Sequence, residues 1–248
     1  MIDDIKTVMW KEWKEIIMSQ GGSSKATTRL RIAILIFVFG FFIPWRGGSR
    51  YIDNPMSLVV PAFVPVLIIM GIVTDSFAGE RERHTLETLL ASQLSDEAIL
   101  IGKMVTAVLF AWVVSLAMIV LGVIGANVSA GGGHLMMFAM DRLIAAIGFN
   151  ILLALVVSSA GVLVSLRAST VRQAMQTLSI GFMVIFYGGF LGIPFLIPAE
   201  WRARLLQYFA GQNLVRTELM VAVLLFILFL ILFSAARLRF RRARLILD

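Results

Sequence analysis

The chain contains no cysteine and only 2 histidines in 248 residues. Disulfides, thiol nucleophiles and cysteine metal sites are therefore excluded. Charge is scarce as well. Asp, Glu, Lys and Arg make up 15% of the residues, 59% are hydrophobic, and the mean hydropathy is +0.92. Soluble domains carry about 25% charged and roughly 45–50% apolar residues, so this composition excludes an ordinary water-soluble enzyme and equally a disordered chain. The charge that is present leans positive, with a net charge of +7 and a pI of about 10.4. On so apolar a chain that excess suits anionic lipid headgroups. Nucleic acid is not an expected partner, because no recognition fold surrounds the basic tail at 237–248.

Long apolar runs dominate what is there. Six lie between charges: Leu30–Trp45, Pro55–Ala78, Ile99–Val128, Leu143–Leu166, Ala174–Pro198 and Leu219–Ala236. A bilayer offers the backbone no hydrogen-bond partners, so such runs are expected as helices, each needing about 20 residues. The runs predict an all-α membrane protein: a single domain over 1–248, with six transmembrane helices between 30 and 236. Six crossings place both termini on one side. Most of the 22 lysines and arginines fall on that side, which makes it the cytoplasmic one.

The first thirty residues lack the pattern of a signal peptide, and the first 20 carry a different one. Ile2, Ile5, Met9, Trp13 and Ile16 recur every three or four residues, with Asp3, Lys6 and Lys14 opposite. This predicts an amphipathic helix on the inner headgroup layer, or a similar helix packed on a partner protein. In the fifth run, three glycines and two prolines within 187–198 weaken a straight helix. Tyr187, Phe190, Pro194 and Phe195 are the candidates there for a pathway or gate. Asp75 is the one acid inside an apolar run, expected at the interface beside Arg81 or Arg83. Asn150, Ser158, Ser159 and Ser165 could hydrogen-bond between helices.

No nucleotide motor is encoded. A phosphate loop needs Gly-x-x-x-x-Gly-Lys-Ser/Thr, whereas Gly102-Lys103 is followed by Met104 and preceded by Glu97 at the first glycine position. His84 and His134 fall on opposite sides of the predicted membrane, so they cannot share a metal. The chain is expected to bind no cofactor and to catalyse nothing. If ATP drives it, the ATPase is another chain.

The segment Gly79-Glu80-Arg81-Glu82-Arg83-His84-Thr85-Leu86-Glu87-Thr88-Leu89-Leu90 is dense in alternating charge. Thr85 is placed to cap a short helix with Leu86, Leu89 and Leu90 on one apolar face. That is a docking element for a groove on another protein, or else a solvated hairpin that closes a helix pair. The segment resembles the signature of ABC-2 type transporter permeases: Glu-x-Glu-x-Gly-Thr-Leu-Glu-x-Leu-Leu, then Pro-x-Ser, then an apolar run opened by Gly-Lys. Glu80, Glu82, Thr85, Leu86, Glu87, Leu89, Leu90, Ser95, Gly102 and Lys103 match. His84 stands where glycine is common and Gln93 where proline is common. A left-handed turn is less comfortable with His84 there.

The resemblance implies a dimer of permeases, a homodimer on the simplest reading, seated in a prokaryotic inner membrane on two ATP-binding subunits that hold ATP and Mg. It implies that the loop at 79–95 meets the ATPase. Glu80, Arg81, Glu82, Thr85 and Glu87 would then supply contact or hinge groups, and Leu86, Leu89 and Leu90 the buried contact. It further implies an ATP-driven exporter. A membrane anchor or signalling subunit that moves no solute is the alternative.

Overall fold

A computed structural model describes residues 1–18, 30, 32–131, 133–188, 198, 200, 201, 204 and 214–240. These residues are mostly helical, with short turns and a non-helical stretch at 133–139 between them. Helix α1 (Ile2–Met18) opens the chain. It is followed by α2 (Ile32–Gly47) and the short α3 (Ser49–Asp53). Helix α4 (Val59–Thr74) runs into a π-turn at Asp75–Gly79 and one more helical turn at Glu80–Glu82. A single-turn helix α5 (Leu86–Leu90) leads to the long α6 (Asp96–Ala130). Helices α7 (Met140–Ser165), α8 (Val171–Tyr187) and α9 (Leu214–Arg239) complete the order.

Local sequence sets these boundaries. The Ser95 hydroxyl accepts the Ala98 amide at 3.2 Å and starts α6, and Asp96 and Glu97 follow in its first turn, where negative charge suits the helix dipole. Gly131, at φ +57°, ends it in the left-handed conformation that glycine tolerates. Thr170 caps α8 by accepting the Gln173 amide.

Among the described residues four helices, not six, are long and apolar enough to span a membrane: Met56–Glu82, Asp96–Ala130, Met140–Ser165 and Thr217–Arg239. They coincide with the second, third, fourth and sixth apolar runs. The first run fails because α2 stops at Gly47. Gly48 follows at φ 55°, ψ −135°, so the helix reaches only about 24 Å against a hydrocarbon core of about 30 Å. A π-turn at Val38–Phe42 also interrupts it. The fifth run fails because α8 is only 17 residues long and its first half holds Gln173, Gln176, Thr177 and Ser179. Counting charges alone overlooks those amides and hydroxyls. Residues 189–197 lie outside the described residues.

Burial ranks the helices. In α4 61% of the apolar stretch is buried, against 6% in α9, so α4 is central and α9 an edge. The main core gathers Val66, Ile69, Val73 and Phe77 from the α4 segment, Ile99 and Leu100 from α6, and Val162 from α7. Small residues let backbones approach. A Cβ on Gly161 would lie 2.6 Å from Val73 Cγ1, and one on Gly125 would lie 2.7 Å from the Phe41 carbonyl. Asn150, fully buried on α7, donates to the Ala62 carbonyl at 3.0 Å. That bond lies one turn before Pro65, which sits inside α4 without an amide proton.

Helix α1 lies on the start of α6. Val8 and Glu12, one turn apart, form its buried line, with Ile5, Met9, Trp13 and Ile16 partly buried beside them. Trp13 meets Phe110 edge-on, while Trp10 and Ile2 are exposed. Gly102 makes the seat: a Cβ there would come within 2.7 Å of Val8 Cβ. Replacing Gly102 with valine is expected to push α1 off α6 at a cost of about 1–3 kcal/mol. Limited trypsin digestion at Lys6 and Lys14 should then accelerate several-fold, and unchanged digestion would show that the seat is dispensable.

Candidate functional site: a buried charge cluster behind the helical hairpin

The segment between α4 and α6 is a tight hairpin held from inside. The Thr85 amide and hydroxyl both donate to the Glu80 carbonyl, at 2.9 and 3.3 Å. The His84 amide donates to Arg81 O at 3.1 Å. His84 sits at φ 56°, the left-handed conformation that costs a side-chain-bearing residue about 1–2 kcal/mol. The position where the family pattern has glycine is therefore the one where the backbone asks for it. Thr85 opens α5 but makes no side-chain cap bond to it.

Beneath the hairpin lies a cluster of charges. The Lys103 side chain on α6 is 1% exposed. Its ammonium donates to Glu12 Oε1 at 2.6 Å, to Glu80 Oε1 at 3.0 Å and to the Ser76 carbonyl at 2.9 Å. The Phe77 ring centroid lies 5.3 Å away. Lys11 reaches Glu80 Oε1 at 3.0 Å from the outside and Glu15 at 3.4 Å. Two cations thus face two buried carboxylates, drawn from α1, the hairpin and α6. A buried ammonium is strongly unfavourable alone and becomes tolerable when paired and fully hydrogen-bonded. Burial acts to lower the Lys11 pKa, but the hydrogen bond to Glu80 and the charges of Glu80, Glu12 and Glu15 outweigh it, leaving the pKa above its ordinary 10.5. A raised cation pKa gives a contribution that is complete below 10.5 and lost only as pH climbs through the raised value, so Lys11 holds Glu80 at every physiological pH.

The residues expected at the coupling loop divide into two groups. Glu80 is 3% exposed and belongs to the cluster. Arg81 also turns inward: its guanidinium donates to the Ala168 and Leu166 carbonyls at 2.6 and 3.0 Å, just beyond the end of α7. Leu86 is buried in the protein's own core, with Leu89 packed against it. The Leu90 side chain lies outside the described residues. Glu82, Thr85 and Glu87 are exposed. Asp75 pairs with Arg83 at 3.2 Å.

Of the gate candidates, Tyr187 ends α8, half exposed, while Phe190, Pro194 and Phe195 lie outside the described residues. So does the tail from 241 onward. Glu12 was missed by sequence reasoning, which placed it nowhere, although it stands at the centre of the apolar stripe formed by Ile5, Met9, Trp13 and Ile16. An acid inside such a stripe, with a lone lysine inside an apolar run, was the signal available.

Among the described residues no group of three or more His, Asp or Glu is arranged to hold a metal ion. The ABC-2 type transporter family matches residues 3–216. The chain belongs to that family. It is a multi-pass membrane permease subunit, with no catalytic motif of its own. No individual curated protein matches the permease.

Substitutions at two positions, with one compensating change, test the local energetics. Lys103→Met leaves Glu12 and Glu80 short of a counter-charge, and the detergent-solubilised permease should lose about 3–5 kcal/mol of stability. Adding Glu12→Gln should recover part of that loss. His84→Gly should raise stability by about 1 kcal/mol, whereas His84→Ile should lower it. Thermal unfolding midpoints check both, and a Lys103→Met permease as stable as the parent would remove the cluster's structural role.

Proposed function

We propose that this permease is the membrane half of an ATP-driven exporter, working as a dimer with two ATP-binding subunits, in a prokaryotic inner membrane. The hairpin at 79–95 meets the ATPase, at the cytoplasmic end of the bundle. ATP and Mg belong to the partner. The observation that carries this reading is the division of the hairpin into a fixed inside and a polar outside. Glu80, Arg81 and Leu86 tie it to α1, α6, α7 and the core, while Glu82, Arg83, His84, Glu87 and Thr88 are exposed. A pushing partner needs a rigid lever, and the buried ties supply it. The contact offered to a soluble ATPase is charged, not a leucine face. The basic residues gathered at this end, among them Lys6, Lys14, Arg83, Arg167, Arg172 and Arg239, support its cytoplasmic placement.

Reversing two exposed charges, with Glu82→Lys and Glu87→Lys together, should cut co-purification of the ATPase about tenfold, which corresponds to about 1.4 kcal/mol, and leave the permease folded. Unchanged association and ATP turnover would take the hairpin out of the coupling role. ATP hydrolysis by the reconstituted complex without flux of any solute would favour a non-transporting anchor.

A further inference from the structure

The π-turn at Asp75–Gly79 interrupts the ladder between the α4 span and the hairpin. In a regular helix the Ala78 amide would donate to the Thr74 carbonyl. Here the Ser165 hydroxyl, from the last residue of α7, stands between them. It accepts the Ala78 amide at 2.8 Å and donates to the Thr74 carbonyl at 2.9 Å. One side chain from another helix therefore satisfies both groups that the π-turn leaves without each other. The Ser76 carbonyl, also inside the turn, is taken by Lys103 at 2.9 Å. Ser165 and Thr74 are both fully buried. In return, Arg81 donates to two carbonyls just past Ser165, where cationic donors suit the helix end. The π-turn with its following turn and the end of α7 thus hold each other in both directions.

We propose that this π-turn is a two-state joint and that Ser165 is the positioning residue that holds it in its present register. Two arrangements satisfy the same backbone groups: the Ser165 bridge, and a direct Ala78–Thr74 bond with the extra residue expelled. Passing from one to the other turns the following residues by about 100° and moves them about 1.5 Å along the axis. Glu80, two residues on, would swing away from Lys103, so the joint and the charge cluster change state together. Inserted side chains and π-bulges are recognised sites of helix distortion. That the ATPase is what works this joint rests on the function proposed above; the joint itself does not.

The absence of cysteine makes the test direct. Spin labels at Glu87→Cys and Lys6→Cys, both exposed positions, report hairpin position against α1 in the full-length permease in lipid nanodiscs. Ser165→Ala should add a distance population displaced by about 5 Å or more, given side chains that reach about 5 Å from a helix axis. Ser158→Ala is the matched control: the same change in the same helix, at a buried hydroxyl with no hydrogen-bond partner among the described residues. It should leave the distances as in the parent. Parent-like distances in Ser165→Ala, or equal displacement in both variants, would overturn the proposal. Displaced distances with ATP turnover and flux of the complex unchanged would instead leave the joint standing and sink the coupling role of the hairpin.

Discussion

A lysine ammonium buried at the start of a membrane helix cannot stand alone, and much of the inner end of this bundle is arranged around that constraint. Lys103 draws a carboxylate from α1, a carboxylate from the hairpin and a carbonyl from the π-turn. Removing the lysine would leave two buried carboxylates short of a counter-charge in a poorly polarisable surrounding. The cluster therefore fixes relationships more than it adds net stability. It says where α1 lies, how the hairpin is oriented and which carbonyl of the π-turn faces inward. Gly102 complements it sterically, since Val8 must come close before Glu12 can reach Lys103.

The same economy appears at the π-turn of Asp75–Gly79 and past the end of α7. The Ala78 amide and the Thr74 carbonyl go to Ser165, and the carbonyls past α7 go to Arg81. With no water inside a bilayer, a polar side chain from a neighbour can satisfy such an irregularity. Ser165 and Asn150 reach across in this way, while the Thr74, Ser76 and Thr106 hydroxyls bond carbonyls of their own helices. Ser159 instead bonds its own helix at Leu155, and the buried Ser158 hydroxyl has no partner among the described residues.

The sequence shows a good part of this and hides a definable remainder. Helical spans appear as uninterrupted apolar runs, and the segments from Met56, Asp96, Met140 and Thr217 follow them closely. The count of six failed where length and uncharged polarity matter: at Gly47-Gly48, which stop α2, and at the glutamines of α8. The hairpin was legible from its residues, and so was the awkwardness of His84. The direction of its leucines was not. A one-turn helix with leucines on one face can turn that face to a partner or to its own core, and only packing decides; here Leu86 goes inward. The pairing of Lys103 with Glu12 spans 91 positions, a separation at which local pattern says nothing about contact.

The order of residues in the cluster bears on how such a protein comes to be made. Glu12 and Glu80 both precede Lys103 in the chain, and synthesis runs from the N-terminus. Both carboxylates are therefore synthesised before the ammonium that they neutralise. The chain order thus supplies the neutralising groups ahead of the group that needs them.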